Sequence, residues 1–356
     1  MAGATSSINF AVIGHQDSWY NIERFVNGLR TAENEKLSLN KIKEIFSFIP
    51  PRTLFNVRVK STCGTEINGI YIDTFIDPDK LIATYSKTNL KKVIQAANYA
   101  QKQGAAVVTF GGFTSILQEG NFNRLSGTDT KFTTGNTLTA AYIIEGINIA
   151  VERCNISLPK SKLLILGATG DIGMACVDYY KKRVHKLMLC ARNKGRLGNL
   201  AATLSKEQIN LGYNISVEQL LPEADIIICV TSSSEMNFTG YKKNVLICDA
   251  GYPKNLHHQI NNNRDVHLFH GGMGQVSRGF EFEPDYSKYI YQYPAPGIAH
   301  GCILEAMVLA FENKLENYST GKGNITLSKI DEIYQCGLKH GITLAPLFNA
   351  NGLWPC

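Results

Sequence analysis

The sequence predicts an α/β chain: a doubly wound parallel sheet in its second half, preceded by a separate α/β region. Three observations predict this. After Pro159, short runs recur that are apolar at nearly every position: KLLILG (162–167), KLMLCAR (186–192), ADIIICVT (224–231), NVLICDA (244–250) and VHLFH (266–270). Such runs suit parallel strands buried on both faces, whereas a half-exposed strand would alternate. The first of them opens directly onto a glycine-rich turn and then a helical pattern. Finally, 356 residues suit two domains at about 100–200 residues each.

The elements follow in order. INFAVIG (8–14) reads as a strand, and residues 55–76 read as strands with turns around Gly64 and Gly69. Residues 88–103 put Leu90, Val93, Ile94, Ala97 and Ala100 on one helical face before Gly104 stops the helix. AAVVTFGG (105–112) reads as a buried strand running into a glycine turn. Residues 137–154 again form a helix, with Ala140, Ile143, Ile144, Ile147, Ala150 and Val151 on one face. Near the end, residues 298–315 are apolar nearly all round and predict a buried helix; 328–340 predicts a last helix stopped at Gly341. The expected organisation is a substrate domain over 1–157, a dinucleotide-binding domain over 158–296, and C-terminal helices over 297–356 that pack back and close an interdomain cleft.

Composition excludes several classes. With 44% hydrophobic and 19% charged residues, the chain is neither disordered nor fibrous. Its 36 basic and 30 acidic residues give only +6, without a basic run, which argues against nucleic-acid binding. No apolar run reaches the roughly 18 residues a membrane span needs, and MAGATSSINFAVIG lacks the features of a secretory signal. The nine cysteines form no CxxC pair, and several sit inside apolar runs, as reduced thiols of a cytoplasmic protein do. His257, His258, His267 and His270 are irregularly spaced with no cysteine pair beside them, so no metal site is expected.

The strongest motif is Gly167-Ala-Thr169-Gly170-Asp171-Ile172-Gly173 between a strand and a helix. Glycines there let backbone approach a pyrophosphate, and the helix start offers free N–H groups and a positive dipole end. This places a Rossmann-type fold in the second domain. An NAD site usually carries an acidic residue at the end of the next strand; here that strand ends Cys190-Ala191-Arg192-Asn193. A guanidinium suits a 2′-phosphate, so the expected cofactor is NADPH. Thr231, Gly251 and Tyr252 follow strand ends, where cofactors bind in such sheets.

Cys302 stands apart from the other cysteines. It follows Pro294, Pro296, Gly297 and Gly301 at the first turn of the apolar helix, with His300 before it and Glu305 one turn on. A helix start is expected to lower a thiol pKa, which makes Cys302 a candidate nucleophile; a structural cysteine is the competing reading. His15, after a strand and a glycine, is expected to face the cleft. Ser115, Thr134 and Asn136 are loop residues able to orient a substrate carbonyl, and cap or turn hydrogen bonds account for them equally well.

Several segments together resemble the long-chain acyl-acyl-carrier-protein reductases of cyanobacteria: Phe110-Gly-Gly-Phe-Thr-Ser115, Phe132-Thr-Thr-Gly-Asn-Thr137, the glycine turn, Ala191-Arg-Asn193, Asp249-Ala-Gly-Tyr-Pro-Lys-Asn-Leu256, and Cys302-x-x-Glu305 with the helix behind it. Ile13-Gly14-His15, Gly323-Asn-Ile-Thr326 and Lys339-His-Gly341 fit as well, so the resemblance spans about residues 10–342. It implies NADPH-dependent reduction of a fatty acyl thioester to a fatty aldehyde through an acyl-enzyme on Cys302. It also implies an acyl carrier protein or coenzyme A thioester as donor, and an enzyme that takes up the aldehyde as a further partner. The alternatives are a shikimate-dehydrogenase-like reductase without a covalent step, and a non-catalytic NADPH-binding protein.

Overall fold

The computed structural model describes residues 8–354, except 31, 33–34, 82–85, 119–121, 126–128, 232–237, 253, 255, 257–259, 261–264 and 321–323. The chain divides into two compact units. The first comprises Met1–Gly135, Gln275–Gly321 and Gln335–Thr343; the second comprises Asn136–Gly274, Lys322–Tyr334 and Leu344–Cys356.

The first unit is built on a mixed six-stranded sheet. Its strands are β1 (Phe10–Gly14), β2 (Arg52–Lys60), β3 (Glu66–Asp73), β4 (Val107–Phe110) and β5 (Lys131–Thr133). Glu281–Glu283 pairs antiparallel with β2 at the edge. β1 lies between β3 and β4, parallel to both, and all its residues are buried. β2 pairs antiparallel with β3 and alternates in burial, as a strand with one solvated face must. Gly69 is not a turn residue: it lies within β3, where an added Cβ would meet the Phe10 ring at 2.3 Å. The turn falls at Gly64, whose φ is +89°.

Helices α1 (Trp19–Gly28) and α2 (Leu39–Phe48) carry Ser18 and Ser38 at their N-caps, each accepting a backbone N–H. Neither is anticipated in the sequence reading, because both are short and apolar on a narrow stripe. They pack around Trp19, Ile22, Ile42, Phe46 and Phe75. α3 (Ser86–Lys102) lays Val93, Ala96, Ala97 and Ala100 on the sheet. A six-residue helix, α4 (Phe113–Gln118), follows the Gly111-Gly112 turn.

The second unit begins at α5 (Asn136–Arg153). Its sheet is parallel throughout, with β6 (Lys162–Leu166), β7 (Lys186–Cys190), β8 (Leu211–Asn214), β9 (Ile226–Cys229), β10 (Val245–Asp249) and β11 (Val266–His270). The spatial order is β11-β10-β9-β6-β7-β8. The five expected runs are there, and β8 adds a sixth. That strand is at an edge and only half buried, so it lacks the apolar run that marks the others. α6 (Asp171–Tyr180) and α7 (Lys194–Lys206) are the crossovers that parallel strands require.

The predicted helix over 298–315 is shorter. Ile298–His300 forms a strand, and the helix, α8, runs Gly301–Phe311. The break falls at Gly297, whose φ is +76° and whose Cβ would meet the Val276 carbonyl oxygen at 2.3 Å. α9 (Leu327–Lys339) is the last helix. Among the described residues, no helix is long and apolar enough to cross a membrane.

Candidate active site

Cys302 is the second residue of α8, half-buried, with His300 at the N-cap. Three segments of the first unit fix its backbone and surround its sulfur. From β4, the Thr109 hydroxyl donates to the Cys302 carbonyl at 2.6 Å. From the turn after β5, Gly135 (φ +71°) approaches so closely that a Cβ would lie 2.2 Å from the Cys302 Cα, so only glycine fits. From the turn after β4, the Gly112 N–H reaches the sulfur, as does the Ile303 N–H from the helix itself.

The electrostatics differ from expectation. A helix start was expected to lower the Cys302 pKa. Burial outweighs it and pushes the thiol up, and the charge of Glu305 adds in the same direction, while the Gly112 and Ile303 N–H groups work against both. The thiol is therefore protonated at rest. Burial raises other thiols as well, taking Cys176 and Cys229 up to about 12 and Cys190 up to about 11. Cys63 is exposed, with its sulfur 3.1 Å from the Lys339 carbonyl. Cys356 lies outside the described residues.

His15 is buried beside this turn. Its Nε2 accepts the Phe113 N–H at 3.0 Å, so Nδ1 carries the proton and faces the Gln16 carbonyl at 3.3 Å and Asp17 Oδ1 at 3.5 Å. The same turn is tied to β1 by Gly111 N–H to the Ile13 carbonyl at 2.8 Å and by the Thr114 hydroxyl to that carbonyl at 3.1 Å. The Ser115 hydroxyl donates to the Gly112 carbonyl at 2.8 Å, a turn bond that stiffens the loop. The Thr134 hydroxyl donates to the Ser319 carbonyl at 3.1 Å. Asn136 is the first residue of α5 and half-buried; it belongs to the second unit.

Sequence reasoning missed Tyr293, Asp17 and Thr109. The Tyr293 phenol is held up chiefly by burial, and then by Asp17 and Cys302 within electrostatic reach, so it stays neutral. No local pattern in YQYPAPG marks it.

The second unit assembles the glycine turn at the C-terminal ends of its central strands. Gly167 follows β6 with φ +88°, and a Cβ there would meet the Val230 carbonyl oxygen at 2.8 Å. Gly173, in the first turn of α6, would place a Cβ 2.2 Å from the Gly167 carbonyl oxygen. Gly170 is the N-cap and offers no side chain to the helix start. Loop and helix start thus form a cradle that only glycines leave open, the shape a pyrophosphate needs. Thr169 and Ile172 border it half-buried, and Asp171 is buried at the first helical position. Arg192 is exposed two residues past β7, and Asn193 caps α7 by accepting the Arg196 N–H at 2.9 Å. Gly251 follows β10 with its Cβ position 2.7 Å from the Thr231 carbonyl oxygen; Tyr252, beside it, is half-buried. These residues fit a dinucleotide. His257 and His258 lie outside the described residues.

The long-chain acyl-[acyl-carrier-protein] reductase of Synechococcus elongatus is 34% identical over 311 residues, covering 84% of this chain and 89% of that protein. The chain belongs to the long-chain acyl-[acyl-carrier-protein] reductase family. Residues 148–270 match the shikimate / quinate 5-dehydrogenase family. The aminotransferase PigE of Serratia is 22% identical over 82% of this chain and 34% of its own length. The solved L-tryptophan dehydrogenase of Nostoc punctiforme is similar over 93% of this chain and 80% of that one, at 11% identity and a TM-score of 0.41. The family member is thus an oxidoreductase that uses a nicotinamide cofactor.

Proposed function

We propose that the protein reduces a long-chain fatty acyl thioester to the aldehyde with NADPH, through an acyl group carried on Cys302. The observation that carries this reading is the convergence of the Gly112 and Ile303 N–H groups on a half-buried cysteine at a helix start. Cys302 sulfur attacks the thioester carbonyl, the carrier C–S bond breaks, and the carrier thiolate leaves with the Cys302 proton. The acyl-cysteine keeps an activated carbonyl. The nicotinamide, when bound, supplies a hydride. Reduction at the carbonyl carbon breaks the bond to Cys302, releases the aldehyde and returns a thiolate that takes up a proton. Backbone donors beside the sulfur stabilise negative charge as it develops there and on the carbonyl oxygen. His15 acts by holding Phe113, and with it Gly112, in place.

Gly167, Thr169, Gly170, Asp171, Ile172 and Gly173 would hold the pyrophosphate; Arg192, with Asn193, would take the 2′-phosphate; Thr231, Gly251 and Tyr252 would flank the nicotinamide. The preferred donor in this reading is an acyl carrier protein, whose acidic surface suits a chain of net charge +6. Short basic clusters occur at Lys91-Lys92, Lys181-Lys182-Arg183 and Lys242-Lys243, and of these Lys91, Lys182, Arg183 and Lys243 are exposed. Lys92 is turned to the Phe75 carbonyl, and Lys242 pairs with Asp225 at 2.6 Å.

The test is intact-mass analysis after incubation with a fatty acyl thioester and no NADPH. One acyl adduct at Cys302, absent from Cys302→Ala, is expected, and the variant makes no aldehyde while still binding NADPH. Aldehyde formation by Cys302→Ala at the unmodified rate would remove the covalent step.

A further inference from the structure

Glu305, one turn beyond Cys302 on α8, is fully buried. A carboxylate out of water persists where other donors replace its hydration. The Ser319 hydroxyl donates to Oε1 at 2.7 Å, and the Thr133 hydroxyl donates to the same oxygen. The direction of the second bond is fixed by Thr133 itself. Its oxygen already accepts the Gly135 N–H at 3.2 Å and the Ser319 N–H at 3.1 Å, so its one proton goes to Glu305.

The bonds form a closed circuit. From Glu305 they run to Thr133, from Thr133 to Gly135, and Gly135 rests on the backbone of Cys302, three residues before Glu305 on the same helix. Ser319 braces the circuit from outside: its carbonyl accepts the Thr134 N–H at 2.8 Å and the Thr134 hydroxyl at 3.1 Å. Three segments, α8, residues 133–135 and Ser319, meet at one carboxylate, and what they hold is the first turn of α8.

We propose that Glu305 is the positioning residue of Cys302: through Thr133 it clamps the Gly135 turn against the nucleophile's backbone. Glu305 acts through this turn rather than on the substrate. The proposal rests on the reading of Cys302 as nucleophile. A turn released from the clamp would let the sulfur drift from the Gly112 N–H, and displacement by about 1 Å costs roughly a hundredfold in such reactions.

The experiment uses the full chain and three variants. Thr133→Val keeps the shape and removes the hydroxyl, Thr133→Ser restores the hydroxyl, and Glu305→Gln keeps an acceptor oxygen and removes the charge. Acylation of Cys302 by hexadecanoyl-acyl carrier protein without NADPH is followed by intact mass. Alkylation of Cys302 by iodoacetamide is followed against pH. The groups that bear on this profile are Glu305 from α8, Tyr293 ahead of it and His15 beside the Gly112 turn. Thr133→Val is expected to slow acylation roughly ten- to hundredfold, with most of the rate regained in Thr133→Ser. Glu305→Gln is expected to move the alkylation profile to lower pH, because a negative charge beside the thiol is gone. Thr133→Val acylating at the unmodified rate, or Thr133→Ser as slow as Thr133→Val, overturns the clamp, and so does an unmoved profile in Glu305→Gln. Should the unmodified protein fail to acylate, the nucleophile reading falls by itself. The alkylation profiles need no substrate and still decide whether Glu305 governs Cys302.

Discussion

The cofactor cradle and the thiol site are built by opposite means. The cradle is one stretch of chain, Gly167–Gly173, whose geometry follows from where side chains are missing. The thiol site is gathered from β4, the turns after β4 and β5, and α8, with Thr109 bonded to a residue 193 positions away. One tolerates little change within seven residues; the other depends on single contacts between distant segments. A local site is therefore readable from a motif, and a gathered one only from the fold.

The largest expected effect tests this contrast at its tightest contact. Gly135→Ala must adopt φ +71° and put a Cβ 2.2 Å from the Cys302 Cα, so acylation of Cys302 is expected to fall by about a hundredfold or more while NADPH binding persists. Stopped-flow acylation together with NADPH fluorescence titration measures both; parallel loss in the two would mean that the sites are not separable.

Next in size is Arg192→Ala. Loss of charge-assisted bonds to a 2′-phosphate is worth roughly 1.5–3 kcal/mol, or ten- to a hundredfold in NADPH affinity, with NADH affinity unchanged. Equal losses for both cofactors would assign Arg192 a structural role.

A third prediction concerns pH. The Cys302 pKa is raised, and a raised acid needs higher pH to ionise. Its alkylation rate should keep climbing past the pKa of a free cysteine, about 8.5. Exposed Cys63, read by peptide mass in the same samples, is the internal comparison. A Cys302 profile centred below 8.5 would mean that the helix start outweighs burial after all.

The smallest effect lies at the far end of α8. Lys339 bonds Glu312 at 2.7 Å and, with His340, holds that carboxyl below its usual range. A depressed acid adds stability above its unfolded pKa and loses it as pH falls through the folded value. Lys339→Ala should lower stability only slightly at neutral pH, a difference that shrinks in acid, with acylation untouched. A change in acylation would show that the helix transmits strain along its length.

Much of the second unit was legible, because between their ends β6, β7, β9 and β10 are buried on both faces with no polar position to blur the pattern. β8, at the edge, was not. In the first unit, glycines and an apolar helix single out Cys302 as a candidate in the sequence, but they do not give the direction of its pKa. That direction depends on burial and on Glu305, which a helix-start argument leaves out. Gly112 contributes a backbone N–H, whose position only the fold sets. Ser115 and Asn136 show the reverse case: their residue type suggests substrate contact, but Ser115 is engaged in its own turn and Asn136 opens α5.

A thiol whose pKa is raised by burial is also a slow target for peroxide. Oxidation to the sulfenic acid begins from the thiolate, so the burial that delays ionisation at Cys302 also delays the first rung of irreversible damage. In the proposed reaction, Cys302 would then meet oxidants between turnovers still in the reduced state.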